Sequence, residues 1–253
     1  MRNTKGGFVV GALAIVFGLG FSPALLAQED SATWRDIGGR GFFMIGYQAL
    51  DLDDLNSRLV AAGLPQSSGD FLTLGGGGFA TVGRLLIGGE GHGLLGSDER
   101  TGATETRIAG GHGQFNLGYL VHSTNAVSVY PVLGIGWGEF SLDVVERGDV
   151  TFDDVLSDPD RGARTSADGF LLDASVGLEF RPAFGRFYER GEGGFAIALR
   201  TGYTFAPGDW DWKLFAEDDV LNGPNIGVEG FYVRLGIGGW GRRETENGDQ
   251  GTR

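Results

Sequence analysis

From Phe170 to Arg181 the chain alternates without a break. Phe170, Leu172, Ala174, Val176, Leu178 and Phe180 fall on one side, and Leu171, Asp173, Ser175, Gly177, Glu179 and Arg181 on the other. Such a period of two marks a strand with two unlike faces. Phe195, Ile197, Leu199, Tyr203 and Phe205 repeat it against Ala196, Ala198, Arg200, Gly202 and Thr204. Phe231, Val233, Leu235 and Ile237 do so against Tyr232, Arg234, Gly236 and Gly238. Five earlier segments extend the set, at 39–50, 71–82, 85–95, 106–120 and 127–144; in the fourth, Phe115, Leu117 and Tyr119 oppose His112, Gln114 and Asn116. The pattern predicts eight strands, most of about ten residues or more, the length a tilted strand needs to cross hydrocarbon.

The connections carry separate information. Gly83-Arg84, His122–Asn125 and the stretch 184–193 are short, whereas 51–70, 96–105, 146–168 and 206–227 are mostly longer and more polar. Short and long links alternate, which puts the turns at one end and the loops at the other. An even strand number returns both termini to the turn end. Membrane-spanning barrels have that asymmetry.

Alternation gives two faces without saying which is inside. The polar face is rich in glycine and alanine, as a narrow eight-stranded lumen requires. Aromatic residues recur near strand ends, with Tyr119, Phe180, Phe195 and Trp240 toward the turns and Trp137, Phe170, Tyr203 and Phe231 toward the loops. Interfacial girdles have this form, so the apolar face is expected to meet lipid. Trp240 falls off the parity of its strand, which suggests a bulge at Gly238-Gly239. On the polar face Glu90, Asp173 and Glu179 balance Arg181, Arg200 and Arg234. Charges in a narrow lumen must be paired, so a structural salt-bridge network filling the barrel is expected, and no open pore.

Glu90, His92 and His112 share the inward parity, and pairing about the 96–105 loop would set Glu90 beside His112. Imidazole and carboxylate together can bind a divalent metal or move protons. No HExxH spacing accompanies them, so a satisfied network that includes Gln114 and Asn116 is the expected role, with no metal and no cofactor. Gly75–Gly78 lies within a strand, lacks the Lys-Ser/Thr of a phosphate loop and precedes no helix; close packing against large lumen side chains accounts for it.

The segment 39–241 resembles the small eight-stranded outer-membrane barrels, the class that includes adhesin-like and OmpA-type transmembrane domains. The resemblance is architectural and covers most of the chain after residue 38. It implies an up-and-down antiparallel transmembrane β-barrel in the cell outer membrane, surrounded by membrane lipid and lipopolysaccharide. It also implies a last strand, Phe231–Trp240, read by the barrel-assembly machinery. Here a polar tail, 242–253, follows where such chains usually stop.

The N-terminus fits that address. Arg2 and Lys5 precede an apolar run from Phe8 to Phe21, too short to span a bilayer comfortably as a helix, and Ser22–Ala27 then offers a cleavage site before Gln28. Residues 1–27 therefore read as a cleaved signal peptide and 28–38 as a periplasmic segment.

Composition narrows the function. Of 253 residues 48 are glycine and 7 proline, with no collagen-like period, and cysteine is absent, so disulfides and thiolate sites are excluded. The net charge is −13, and loss of the leader removes two positive charges more, which argues against nucleic acid as a partner. Asp149, Asp153, Asp154, Asp158 and Asp160 make one loop acidic, and Asp209, Asp211, Glu217, Asp218 and Asp219 another; divalent ions could bridge them to lipopolysaccharide phosphates, although no EF-hand spacing is present. Residues 52–62 predict a helix capped by Asp51, ended by Gly63 and Pro65, and striped with Leu52, Leu55, Leu59 and Val60, a lid for the barrel rim. No GxSxG elbow appears, and the strand histidines share the inner face. The sequence thus favours a non-enzymatic barrel acting through its loops. Its rivals are a lipid A or phospholipid-modifying enzyme and a soluble periplasmic barrel with an apolar ligand inside.

Overall fold

Strict alternation here builds long strands whose neighbours pair antiparallel. The computed structural model describes residues 36–102, 104–146, 162–182 and 192–244. The leader, the loop with Asp149, Asp153, Asp154, Asp158 and Asp160, most of the 184–193 link and the end of the tail lie outside them. In chain order the elements are β1 (Asp36–Leu50), α1 (Asp53–Ala61), β2 (Asp70–Val82), β3 (Leu85–Thr101), β4 (Thr104–Tyr119) and the two-residue β5 (His122–Ser123). There follow β6 (Val127–Glu146), β7 (Gly162–Phe180), β8 (Glu192–Phe205), β9 (Asp211–Leu214), β10 (Asp218–Val220) and β11 (Gly230–Glu244).

Eight long strands, β1–β4, β6–β8 and β11, pair in sequence order, and β11 returns to β1 from Asp36↔Glu244 to Leu50↔Gly230. The sheet is therefore a closed barrel. Its stagger can be followed by hand. Arg40 pairs with Phe79, Phe79 with Gly88, Gly88 with Asn116, and Asn116 with Gly134. Gly134 then pairs with Asp173, Asp173 with Thr204, Thr204 with Gly230, and Gly230 with Leu50. One circuit climbs from Arg40 to Leu50 on the same strand, a shear that tilts eight strands by about 40° and leaves room only for side chains inside.

The two faces sort as the alternation demands. Phe43, Leu72, Phe115, Leu133, Ile135, Leu172, Val176 and Ile237 are exposed, while their neighbours Phe42, Thr73, Gln114, Asn116, Val132, Asp173 and Ser175 are buried inside. Strands so tilted rise roughly 2.5 Å per residue, so the outward row from Phe170 to Phe180 covers about 25 Å, the height of a hydrocarbon band.

Two sequence expectations need correction. The 96–105 link is not an open loop: β3 and β4 run on past a bulge between Leu94 and Ser97 and pair as far as Thr101↔Thr104. A cross-strand ion pair there supplies the reason, since the buried Glu105 meets Arg100 of β3 at 3.2 Å and is also held by Arg107 of its own strand at 2.7 Å. Likewise β6 and β7 continue beyond Trp137↔Phe170 to Val145↔Gly162, with Arg164 and Asp143 joined by two bonds of 2.7 Å. The hairpin β9–β10 docks on this extension through Thr165–Asp168. A wall of β3, β4, β6, β7, β9 and β10 thus stands beyond the apolar belt.

The loop-end mouth is covered by apolar packing. Leu52, Leu55 and Leu59 of the α1 region pack with Trp210, Trp212, Ile226 and Val228 over Phe71, Phe140 and Leu171. Asp51, expected to cap the helix, stands one residue before the N-cap Leu52, which makes no side-chain cap bond; its carboxylate instead receives the Asp53 backbone N–H at 3.2 Å, and Gly63 follows the helix at φ 73°. Val60, expected in the apolar stripe, is instead 55% exposed, because it lies well round the helix from Leu55 and Leu59.

Candidate functional site

Glu90 lies at the centre of the lumen. β3 holds it opposite Gln114 of β4, and the curvature of the wall brings β8 and β11 across to it. Its Oε2 accepts from Arg200, and its Oε1 from Arg234 at 3.1 Å and Gln114 at 3.1 Å. Arg200 also donates to Asp173 at 3.2 Å and to the Ser175 hydroxyl at 3.0 Å. Asp173 further accepts from Ser175 at 3.0 Å and from the Tyr232 hydroxyl at 3.1 Å. Gln114 continues the chain to Asn116 at 2.9 Å. Two carboxylates meet two guanidiniums, all buried. A layer of this kind is tolerable because each charge has an opposite one within contact range.

The register places His112 opposite His92, not beside Glu90. The continued strands beyond the bulge set that pairing, where a longer loop would have shifted it. The imidazoles lie 5.4 Å apart, and His92 Nε2 is 3.6 Å from Glu90. Arg234 Nη2 lies 3.1 Å from His112 Nε2, and a guanidinium has no lone pair to offer, so this nitrogen of His112 must be the acceptor. The same Nη2 reaches Gln48 at 3.4 Å, and the guanidinium stacks 3.7 Å from the Tyr232 ring. A divalent ion fits this set poorly, because Arg200 and Arg234 already occupy the Glu90 carboxylate. Nor does any group of three His, Asp or Glu among the described residues converge as metal ligands.

A second ionic layer closes the turn end. Arg40 pairs with Glu179 at 2.9 Å and reaches Thr81 at 3.4 Å. Arg181 lies 3.5 Å from Glu179 and donates to Ser128 at 2.7 Å, Ser123 at 3.2 Å and the Thr124 carbonyl. Its guanidinium covers the Trp240 ring at 5.1 Å. Trp240 therefore points into the barrel, beside Phe42, Met44, Ala196 and Ala198. The expected bulge is absent: pairing runs unbroken through Arg40↔Trp240 and Trp240↔Gly194, and unbroken alternation carries Trp240 to the inner face. Between the ionic layers lie Phe79, Leu86, Tyr130 and Val132. From turns to loops the interior reads ionic, apolar, ionic, apolar.

Arg40 and Gln48 are members that sequence reasoning missed. Both lie at inward parity on β1, a strand whose alternation is interrupted by glycines. Glycines matter here as space. A Cβ on Gly134 would come within 2.7 Å of Asn116 Oδ1 and 2.8 Å of Gln114 Nε2.

Chemically the layers pair opposite charges across the lumen. Ser175 has Arg200 and Asp173 as neighbours and no imidazole to take its proton. His92 and His112 are turned away from lipid. A barrel that encloses an apolar ligand would need the opposite arrangement of faces. On the outside Tyr119, Trp137, Phe170, Phe180 and Phe195 are exposed. Tyr203 and Phe231 are half-buried on the same outward rows. Trp137 donates to Asp168 at 3.0 Å and Tyr203 to Glu229 at 3.1 Å, so polar tips point toward the loops.

The molecule is a membrane-type β-barrel.

No protein-family model matches the chain, and no curated protein matches it by sequence. Solved structures of similar outline include Ail, the attachment invasion locus protein of Yersinia pestis. It is 10% identical, with 82% of this chain and 99% of that one covered and a TM-score of 0.42. Neisserial surface protein A follows at 7% identity, 83% and 97% coverage and a TM-score of 0.36. OprG from Pseudomonas aeruginosa is 14% identical over 81% and 95% of the two chains, with a TM-score of 0.34.

Proposed function

We propose that this chain is a non-enzymatic outer-membrane barrel that acts through its loop end. The observation that carries the reading is the filled interior. Arg200–Glu90–Arg234 spans the lumen, Arg40–Glu179 lies toward the turns, and the α1 lid covers the mouth. With the lumen filled and, among the described residues, no hydroxyl hydrogen-bonded to an imidazole, the wall and lid are the described surfaces left to meet a partner. In this reading residues 1–27 direct export and are removed, the β11 strand engages the barrel-assembly machinery, and lipid and lipopolysaccharide surround the belt. The network of Glu90, His92, His112, Gln114, Asn116, Asp173, Glu179, Arg181, Arg200 and Arg234 is structural.

Fractionation of cells should place the protein in the outer membrane with heat-modifiable gel mobility, and purified protein in planar bilayers should give no steady conductance. A water-soluble product, or a stable open channel, would overturn the proposal. The enzymatic rival is tested by the lipid A and phospholipid mass profiles with and without the protein; a modification lost in Glu90→Ala and His112→Ala would favour it.

A further inference from the structure

Nearly all large apolar side chains that are exposed lie on the outward rows of the barrel strands. Beyond the loop end of the belt three stand apart: Val60 on α1, and Phe215 and Leu221, which bracket β10 and are 59% and 84% exposed. The segment carrying the last two is unusual in its backbone. Phe215, Ala216 and Asn222 adopt left-handed φ values of 50°, 61° and 57°, the non-glycine residues that do so among those described. Hairpin turns of this kind normally recruit Gly, Asn or Asp. Here Phe and Ala stand at the turn.

The segment is nonetheless firmly held. Trp212 is buried against Phe140, and its indole N–H donates to the Pro224 carbonyl at 2.8 Å. The Phe215 N–H donates to the Arg164 carbonyl at 2.9 Å, and Arg58 of α1 donates to the Asn222 carbonyl. Two apolar side chains are thus displayed to water on a pinned backbone. Little freedom remains to be lost when something binds them. The segment and its flank carry Asp209, Asp211, Glu217, Asp218 and Asp219 against Lys213, and the neighbouring Arg58 and Arg164 are already paired with Asp54 and Asp143.

We infer that the hairpin segment Asp211–Asn222 is a docking element for a basic polypeptide, with Phe215 and Leu221 as its apolar anchors. Charge complementarity selects the partner: carboxylates on both sides of the anchors repel an acidic surface and draw in Lys and Arg. The inference rests on the surface-interaction reading above and names the partner's chemistry.

The test uses the full-length barrel in phosphatidylcholine nanodiscs, with empty discs as the background. The probe is a labelled peptide of alternating Lys and Leu, compared with an all-Lys peptide of equal charge and a Glu/Leu peptide. The Lys/Leu peptide should bind, and the double variant Phe215→Ser/Leu221→Ser should weaken it at least tenfold while keeping the parent's heat-modifiable mobility. Asp218→Asn/Asp219→Asn should weaken it too and flatten its salt dependence. Equal affinity for parent and Phe215→Ser/Leu221→Ser, equal binding of the Glu/Leu peptide, or no binding of the Lys/Leu peptide at all would each overturn the docking element. None of those outcomes touches the fractionation and conductance tests, so the broader reading stands or falls separately.

Discussion

At the scale of single residues, the lumen converts charge into architecture. Glu90 accepts from Arg200, Arg234 and Gln114, and removing its charge leaves the buried Arg234 without its carboxylate and Arg200 with Asp173 alone. Glu90→Gln should cost about 3–5 kcal/mol of unfolding free energy, measured by denaturant titration in micelles. A loss below about 1 kcal/mol would mean that water already screens the pair. Two glycines on opposite faces differ in the space they leave. A Cβ on Gly177 would run into the Tyr130 ring, whereas one on the outward Gly41 would find its nearest neighbour, the Gly77 carbonyl, at 3.8 Å. Gly177→Ala should therefore destabilise by about 1–3 kcal/mol while Gly41→Ala is nearly silent in the same titration. Sequence alone named Glu90, Asp173, Arg200 and Arg234, because charges at inward parity on regular strands are easy to see. It could not pair Glu90 with Gln114, since a register depends on where a hairpin turns. Nor could it read Trp240 as inward while a bulge at two glycines offered an equally good account.

At the scale of elements, strands were more legible than the structure above them. Phe170–Phe180 and Phe195–Phe205 declared both faces, and the alternation of short and long links gave the order. The extensions of β3 and β7 and the β9–β10 hairpin were hidden, because polar strands beyond a membrane belt look like loops. Helix α1 was visible from Leu52, Leu55, Leu59 and the Gly63 that ends it, but its partners Trp210 and Trp212 were not, since they pack from a stretch without period. The orientation of the strands can be tested directly. Leu133 is 67% exposed near the middle of the belt, so Leu133→Arg should cost about 2–4 kcal/mol on insertion into bilayers. In a water-soluble barrel that change would be neutral. For the lid, Trp210 fills space that a Cβ on Gly169 would contest and packs with Ile226 and Val228. Trp210→Ala should open the lid without unfolding the barrel, seen as faster proteolysis between residues 206 and 229 with heat-modifiable mobility retained.

At the scale of the whole molecule, the partners of the central layer come from far apart in the chain. Glu90 and Arg200 are separated by 110 residues, and Glu90 and Arg234 by 144. Neither bond can form within a hairpin. Until β11 meets β1, the sheet is an open ribbon in which Glu90 and Arg234 face hydrocarbon unpaired, and only the ring brings them together. Zipping that last seam is thus the event at which Glu90 meets both Arg200 and Arg234, whereas Asp173 and Arg200 can already pair across the β7–β8 hairpin. Assembly should be slow and all-or-none, as distant pairings impose. Arg234→Met should leave a larger share of chains stalled as unclosed sheet, open to protease, in timed refolding into vesicles.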